Sequence, residues 1–400
     1  RWRSPLPWLR NERKGDGMFI SETHLPQVLT PQDYTSEDQY RRELEQLFLP
    51  GWHCIATFSD FPQDGDFLTI ELLDHPLILW RSGDEYHTFL NVCPHRFARL
   101  HGEPCGHAGE RLKCQYHGWE FDCSGNTQKI PDAQSFKPMK KGALGLTKYR
   151  TETCGQLIFV TLNDEAPSLR EYLGTGFEIG ETLCGPERRL AATLDYEIDT
   201  NWKCKVENSL ESYHVDMVHP KTFIRAPEEA ECEHELESGW TTYATVQEAP
   251  TAWHRLLDRI MNRLAHGESD DEYKHYHFYP HTMFGKMKLF SWMEWTIPLS
   301  VDRTRVIGKF FCYGGRSGRL VSRILSSRLA KWEAGFFEIL RGEDCAVLEE
   351  VYRGLKAPNQ PSEGLVSIRE ERCFHFQKYI ERVTSPEAAN SNGVAMAAGS

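Results

Sequence analysis

Apolar residues recur at helical spacing in a few stretches of this chain and alternate with polar ones in most others. Between residues 36 and 48, Tyr40, Leu44, Leu47 and Phe48 fall on one side of a helix; Ser36 and Gln39 take capping-box positions, and Pro50-Gly51 stops it. From Trp52 to about Leu162 the pattern turns to short β-type runs, among them Phe67 to Leu72, Pro76 to Trp80 and Gln156 to Thr161, punctuated by Asp, Gly, Pro and Asn. This predicts a small all-β domain.

Residues 163–190 read as loop and helix. Beyond them strand and helix patterns mix: Leu194 to Ile198 as a strand, 202–218 as one helix, Tyr276 to Phe284, Lys286 to Ile297 and Arg303 to Tyr313 as strands, and about Leu320 to Arg341 as a long helix. In residues 253–264, Leu256, Leu257, Ile260 and Leu264 recur with Arg and Asp between them, which predicts a surface or lid helix. The second domain is therefore expected to be an antiparallel sheet covered by helices, and the whole chain an α+β protein. The expected division is an N-terminal arm and helix at 1–49 packing with the second domain, a β domain at 50–165, the mixed domain at 166–383 and a disordered tail at 384–400.

Four hundred residues suffice for two cores. A net charge of −12 argues against nucleic acid as a partner. The 12 cysteines are scattered singly, which fits a reducing cytoplasm better than a disulfide framework. No run has the length of a membrane span. The start, Arg1 to Asp16, is basic and broken by Pro5, Pro7 and Gly15; Met18 is a candidate initiator, which would make residues 1–17 an extension. The Gly174-Thr-Gly176 segment has Ile179 where a dinucleotide fingerprint needs its third Gly, so no nicotinamide or flavin module is expected. Electrons for any redox chemistry would come from another protein.

Two stretches carry candidate chemistry. The first is Cys93-Pro-His95, eighteen residues, then Cys114-Gln-Tyr-His117. Two thiolates and two imidazoles suit either one structural zinc or a [2Fe-2S] cluster with Cys on one iron and His on the other. Zinc modules more often pair Cys with Cys and His with His, and the mixed halves here favour the cluster. His101 and His107, inside the spacer, read as polar surface residues, and Cys105 to Glu110 as a loop between the halves.

The second stretch is Glu207-Asn208, then Glu211-Ser-Tyr213-His214, four residues, and His219 before Pro220. On a helix Glu211 and His214 share a face, so the carboxylate can orient the imidazole. His219 reaches the same side only if the last turn is distorted. Taken alone, such a His pair is more often structural than metal-binding.

Arg96 after the first His and Gly118-Trp119 after the second make the first stretch resemble the Rieske domain of oxygenases; Ala98 and Tyr116 stand where respiratory Rieske proteins carry a disulfide. The second stretch resembles the mononuclear iron motif of Rieske non-haem iron oxygenases, and Glu343-Asp344 through Val347, Glu350, Val351, Gly354 and Leu355 resembles the segment that gives that family its carboxylate ligand. Tyr352 departs from the Gln often found there.

The resemblance spans roughly residues 30–383. It implies a Rieske [2Fe-2S] domain held by Cys93, His95, Cys114 and His117 and a catalytic domain whose His214, His219 and Asp344 hold Fe(II) as a facial triad with positions open for O2. It further implies a terminal oxygenase acting on a small organic substrate, fed by a separate reductase or ferredoxin and so indirectly by NAD(P)H. It also implies a homotrimer, with or without a small second subunit, in which Glu211 bridges the iron site of one protomer to the cluster of the next. Family members with Glu at the bridging position include oxygenases of quaternary ammonium compounds, and Trp292, Trp295, Phe278, Tyr279 and Phe284 are candidates for an aromatic cage; aromatic acids and arenes fit as well. The alternative is a Rieske-type electron carrier, in which the second stretch carries no metal.

Overall fold

The structure, a computed structural model, describes residues 21–385 except 141, 221–225, 229–230, 247–255, 257–259, 261–271, 288–289, 314–319 and 362–363. The basic start, Met18 and the tail after Ser385 lie outside the described residues, as does most of the expected 253–264 helix, of which Leu256 and Ile260 are helical and exposed. The described residues form two compact units, 48–185, and the segment before 48 together with everything after 185. Among them no helix is long and apolar enough to cross a membrane.

The chain opens with β1 (Leu25–Pro26), α1 (Pro31–Thr35) and α2 (Glu37–Glu43). Ser36 caps α2 by accepting from Gln39 N at 3.3 Å, but the Gln39 side chain turns inward to Glu43 and Thr384 and so leaves the capping box half made. The helix widens into a π turn over Leu44–Phe48. Glu43 fixes this arm to the second unit: fully buried, it accepts from Lys203 Nζ at 2.7 Å and from Trp202 Nε1 at 2.7 Å. A buried carboxylate needs such a partner, because an unpaired charge there costs several kcal/mol, on the order of 3–5.

In the first unit, β2 (Trp52–Thr57), β3 (Asp66–Leu72), β4 (His75–Ser82), β5 (Glu85–Leu90) and β6 (Cys105–His107) precede a small sheet of β7 (Leu112–Lys113), β8 (Glu120–Phe121) and β9 (Thr127–Lys129). Then β10 (Lys148–Cys154) and β11 (Leu157–Thr161) complete a seven-stranded antiparallel sheet in the order β2-β11-β10-β5-β4-β3-β6. The segment expected to be a loop, Cys105 to Glu110, thus begins as an edge strand, with Gly106 opposite Phe67. Gly106 is required there, since a Cβ would sit 2.7 Å from the Phe67 ring.

Residues 166–185, assigned by sequence to the second domain, belong to this first unit. Their helices α3 (Leu169–Leu173) and α4 (Thr175–Leu183) are tied to β10 and the β10–β11 turn: Leu169 N donates to Glu152 at 2.9 Å, Cys154 Sγ to Phe177 O at 3.2 Å and Gln156 N to Cys184 O at 2.8 Å.

In the second unit β12 (Arg188–Ile198) leads to α5 (Trp202–Asn208), α6 (Val215–Val218), β13 (Cys232–Leu236), β14 (Trp240–Val246), β15 (Glu272–Phe278), β16 (Thr282–Met287), β17 (Phe290–Ser300), β18 (Arg303–Tyr313), α7 (Leu320–Leu355), β19 (Leu365–Val366) and α8 (Glu371–Thr384). The sheet order is β12-β18-β17-β16-β15-β14-β13, all antiparallel, and β1 pairs β19 separately. The stretch read as one strand over 276–284 is two, with a turn at Tyr279–His281. The long helix runs on past Arg341 to Leu355, which places Asp344 inside it rather than on a separate helix.

The single helix expected over 202–218 is two short ones. Glu211 breaks it: its carboxylate accepts from the backbone N–H groups of Tyr213 and His214. The side chain thus competes with helical hydrogen bonding and closes a turn at Tyr213–His214, ahead of α6, where α5 would otherwise continue.

Candidate metal centres

Each half of the first stretch folds as the same tight knuckle. Phe97 N donates to Cys93 O at 2.9 Å and Cys93 N to Ala98 O at 2.8 Å; Gly118 N donates to Cys114 O at 3.0 Å and Cys114 N to Trp119 O at 2.8 Å. The fourth residue after each Cys takes a positive φ, 61° at Phe97 and 72° at Gly118. Glycine makes that turn without strain, so the second loop is legible in the sequence and the first, with Phe, is not.

The knuckles bring all four side chains together. Cys93 and Cys114 are 1% and 2% exposed, in a core with Trp80, Phe89, Trp119 and Phe121, while His95 and His117 sit half-buried with ring centroids 4.6 Å apart. His95 lies flat on Trp119 at 5.0 Å, and Phe136 closes edge-on against both rings. Burial and the adjoining Cys114 thiol push the Cys93 thiol up, while the N–H groups of His95 and Arg96 that point at it pull it down. A metal is what makes a thiolate favourable at such a site.

His117 Nδ1 is buried with no hydrogen-bond partner, an orphan that a metal would satisfy. Donor set and orphan both fit the cluster. His107 is exposed and pairs with Asp66, as expected of a polar surface residue, but His101 is not one: Asn91 brackets its backbone, with Nδ2 to O at 2.8 Å and N to Oδ1 at 3.2 Å, and its ring packs on Phe67. All twelve cysteines are free thiols.

The second stretch and α7 bring His214, His219 and Asp344 together, with one ligand atom of each inside 4.8 Å of the others. Asp344 Oδ1 lies 3.0 Å from His219 Nε2 and 3.6 Å from His214 Nε2, yet takes no well-formed hydrogen bond. The outer nitrogens explain this. His214 Nδ1 is held by Glu211, and His219 Nδ1 by Glu343 Oε2 at 2.7 Å. A neutral imidazole has one proton, so both Nδ1–H groups donate outward and both Nε2 lone pairs face the Asp344 carboxylate.

Three acceptors aimed at one point suit a cation. Burial lowers the His219 pKa, but Asp344 and Glu343 outweigh it and raise it, while His219, His214 and Lys205 hold Asp344 low against its own burial. The chemistry of the set, two imidazoles and a carboxylate on one side, fits a mononuclear non-haem iron with open positions. Glu343 was quoted from sequence only as the residue that opens the Asp344 segment; its contact with His219 was not foreseen, although two His that each need an outward carboxylate, and an acid beside Asp344, were the signal.

The five aromatics proposed as a cage are divided by the sheet. Cross-strand partners share a face, and Trp292 lies in the row His275, Gly285, Trp292, Phe310, whereas Phe278, Phe284 and Trp295 belong to rows of the opposite face. Tyr279 is in the turn, against Phe376 and Tyr379 of α8.

Two family models divide the chain between them: the Rieske [2Fe-2S] domain matches residues 51–149, and the ring hydroxylating alpha subunit (catalytic domain) matches residues 188–385. The chain belongs to the Rieske non-haem iron oxygenases. The carnitine monooxygenase oxygenase subunit of Escherichia coli (strain K12) is 25% identical over 366 residues, 88% of this chain and 92% of that one. The 2-aminobenzenesulfonate 2,3-dioxygenase subunit alpha of an Alcaligenes sp is 32% identical over 202 residues, 49% of this chain and 50% of its own.

Among solved structures, a quaternary ammonium Rieske monooxygenase in complex with L-carnitine superposes with a TM-score of 0.72 at 22% identity, over 90% of this chain and 96% of that one. Naphthalene 1,2-dioxygenase with indole bound gives 0.68 at 19%, over 93% and 97%. These two likenesses establish the fold. This Rieske oxygenase is thus a terminal oxygenase with a [2Fe-2S] cluster, a non-haem Fe(II) and O2 as co-substrate. A zinc module and a bare electron carrier both fall, because the second unit is an oxygenase catalytic domain.

Proposed function

We propose that Cys93, His95, Cys114 and His117 hold the cluster, that His214, His219 and Asp344 hold the iron, and that a small organic substrate is oxygenated beside Asp344. One observation carries this reading: three ligand atoms within 4.8 Å, with both imidazoles fixed from behind by carboxylates. When bound, the cluster supplies single electrons and the iron activates O2. The chain's own residues do the rest. Glu211 and Glu343 fix the tautomer and tilt of the two imidazoles, and the burial of His219 and of most of Asp344 keeps water from competing for the site.

Glu211 has a second task in this reading. Its carboxylate is 10% exposed while holding His214, and we place it against the cluster histidine of a neighbouring protomer in a homotrimer, with or without a small second subunit. Relatives named for carnitine and for 2-aminobenzenesulfonate mark the range of substrates to test. A separate reductase or ferredoxin delivers electrons, ultimately from NAD(P)H. That none of the twelve cysteines is in a disulfide favours the reducing cytoplasm as its place.

The test is O2 uptake by the holoenzyme with a reductase, driven by L-carnitine, γ-butyrobetaine or benzoate. Stimulation by at least one of them, abolished in Asp344→Ala with the cluster absorbance retained, is the expected result. Uptake that Asp344→Ala leaves unchanged would contradict the assignment. Sedimentation should give the mass of three chains, and a monomer would remove the Glu211 bridge.

A further inference from the structure

Arg372 of α8 is 2% exposed, and among the described residues no carboxylate pairs with it. Its Nε donates to Thr241 Oγ1 at 3.0 Å, one Nη to Leu210 O at 3.5 Å and the other to His275 Nδ1 at 3.0 Å. A guanidinium has only donors, so His275 Nδ1 must accept and the ring proton must sit on Nε2. The burial of His275 and the charge of Arg372 hold the imidazole neutral, far below its ordinary range.

That Nε2–H is buried and has no acceptor among the described residues. The His275 ring is stacked on the indole of Trp292, centroids 5.3 Å apart at 27°, and Trp292 Nε1–H is also buried without an acceptor among the described residues. Two adjacent orphan donors are costly, and a native interior keeps them only where something else supplies the acceptor. Gly285 lies between the two in the sheet row, and a Cβ there would overlap the indole, so the chain is shaped to seat Trp292 in this place.

The pair faces the layer that holds the iron ligands. Trp292 packs against Phe337, seven residues before Asp344 on α7 and so on nearly the same helix face. Glu294, the next residue on that face of β17, pairs with Lys205 at 2.8 Å, and the charge of Lys205 acts on both His275 and Asp344.

The geometry points to an acid subsite: His275 Nε2–H and Trp292 Nε1–H together receive a carboxylate or sulfonate oxygen of the substrate, and Arg372, behind His275, supplies the countercharge. The substrate is then an organic acid of either an aromatic or an aliphatic ammonium skeleton, not a plain arene or a simple cation. This inference rests on the reading that substrate binds beside Asp344.

Calorimetric titration of the full-length holoenzyme with matched probes tests it: benzoate and benzenesulfonate against toluene, L-carnitine and γ-butyrobetaine against choline. At least one acid-bearing probe should bind about tenfold or more tighter than its acid-free counterpart, the size of a lost charge-assisted pair of hydrogen bonds. His275→Phe and Trp292→Phe, which keep the ring stack, should each erase that preference while iron and sulfide contents and the cluster spectrum stay unchanged.

Asp344→Ala should keep the acid preference and lose O2 uptake, which separates the subsite from the iron assignment. Acid-free probes binding as well as acids, an acid preference untouched in both ring variants, or no acid-bearing probe binding at all would overturn the subsite, whatever the O2 uptake shows.

Discussion

His219 Nδ1 and Glu343 Oε2 are 2.7 Å apart, so the residue immediately before Asp344 on α7 holds His219, one of the proposed iron ligands, from behind. In this reading the same turn of helix supplies both a ligand and the group that aims another. Glu343→Ala should lower iron affinity by about 10–100-fold, the usual cost of losing a carboxylate behind a metal-bound histidine. Glu343→Gln, which keeps an acceptor, should lose much less. Chelator titration with the cluster spectrum as internal reference measures this, and equal losses in the two variants would show that packing, not the hydrogen bond, matters.

Glu211 does two local jobs at once, accepting the backbone N–H groups of Tyr213 and His214 in the turn ahead of α6 and orienting the His214 ring. A Gln side chain offers one oxygen where the carboxylate offers two. Glu211→Gln should therefore retain both metals but slow the O2-dependent reoxidation of the reduced cluster at least tenfold, whereas Glu211→Ala should release iron as well. Normal, tightly coupled turnover in Glu211→Gln would remove the bridging role.

Glu207 lies against Tyr34, whose hydroxyl donates to Oε1 at 2.7 Å, and Gln377, which donates to the same oxygen at 3.2 Å. Burial outweighs these donors and lifts its pKa from 4.5 to about 7. An acid whose folded pKa is raised binds more protons folded than unfolded, so its contribution to stability is full below pH about 4.5 and is lost as pH rises through about 7. Glu207→Gln should flatten this slope and stabilise the protein at pH 8 relative to pH 5. Melting temperatures of both proteins across that range decide it, and parallel profiles would refute the shift.

Gly106 faces the Phe67 ring at a distance that leaves no room for a methyl group. Gly106→Ala should destabilise the first unit by about 1–3 kcal/mol, the cost of overpacking, and Phe67→Leu in the same chain should restore part of it. Thermal loss of the cluster absorbance reads the effect. An unchanged midpoint in Gly106→Ala would show that the edge strand yields freely.

Much of this was legible in the chain. Arg303 to Tyr313 reads as a strand and is one, because β-branched and aromatic residues (Thr304, Val306, Ile307, Phe310, Phe311) dominate it. The proposed cluster set Cys93, His95, Cys114 and His117 is marked by mixed Cys-His pairs with few other uses in such spacing, whereas the His214, His219 and Asp344 set is ambiguous alone and stands out only beside the first. What was not legible depended on tertiary partners. The helix over 202–218 broke because Glu211 spends its carboxylate on the backbone, and periodicity does not register such competition.

Phe97 adopts a backbone conformation that sequence assigns to Gly, because the hydrogen bonds of the knuckle impose it. The aromatic cage failed for a reason the spacing already contained: Trp292 and Trp295 are an odd number of residues apart on one strand and so point to opposite faces.

The most direct measurement is the iron and sulfide content of anaerobically purified protein, wild type beside His214→Ala. Three irons and two sulfides per chain, with one iron lost in the variant and the cluster spectrum intact, is the predicted result for one [2Fe-2S] cluster and one mononuclear iron. Two irons in both proteins, or a single zinc, would contradict the assignment of His214, His219 and Asp344 as the oxygenase's iron site.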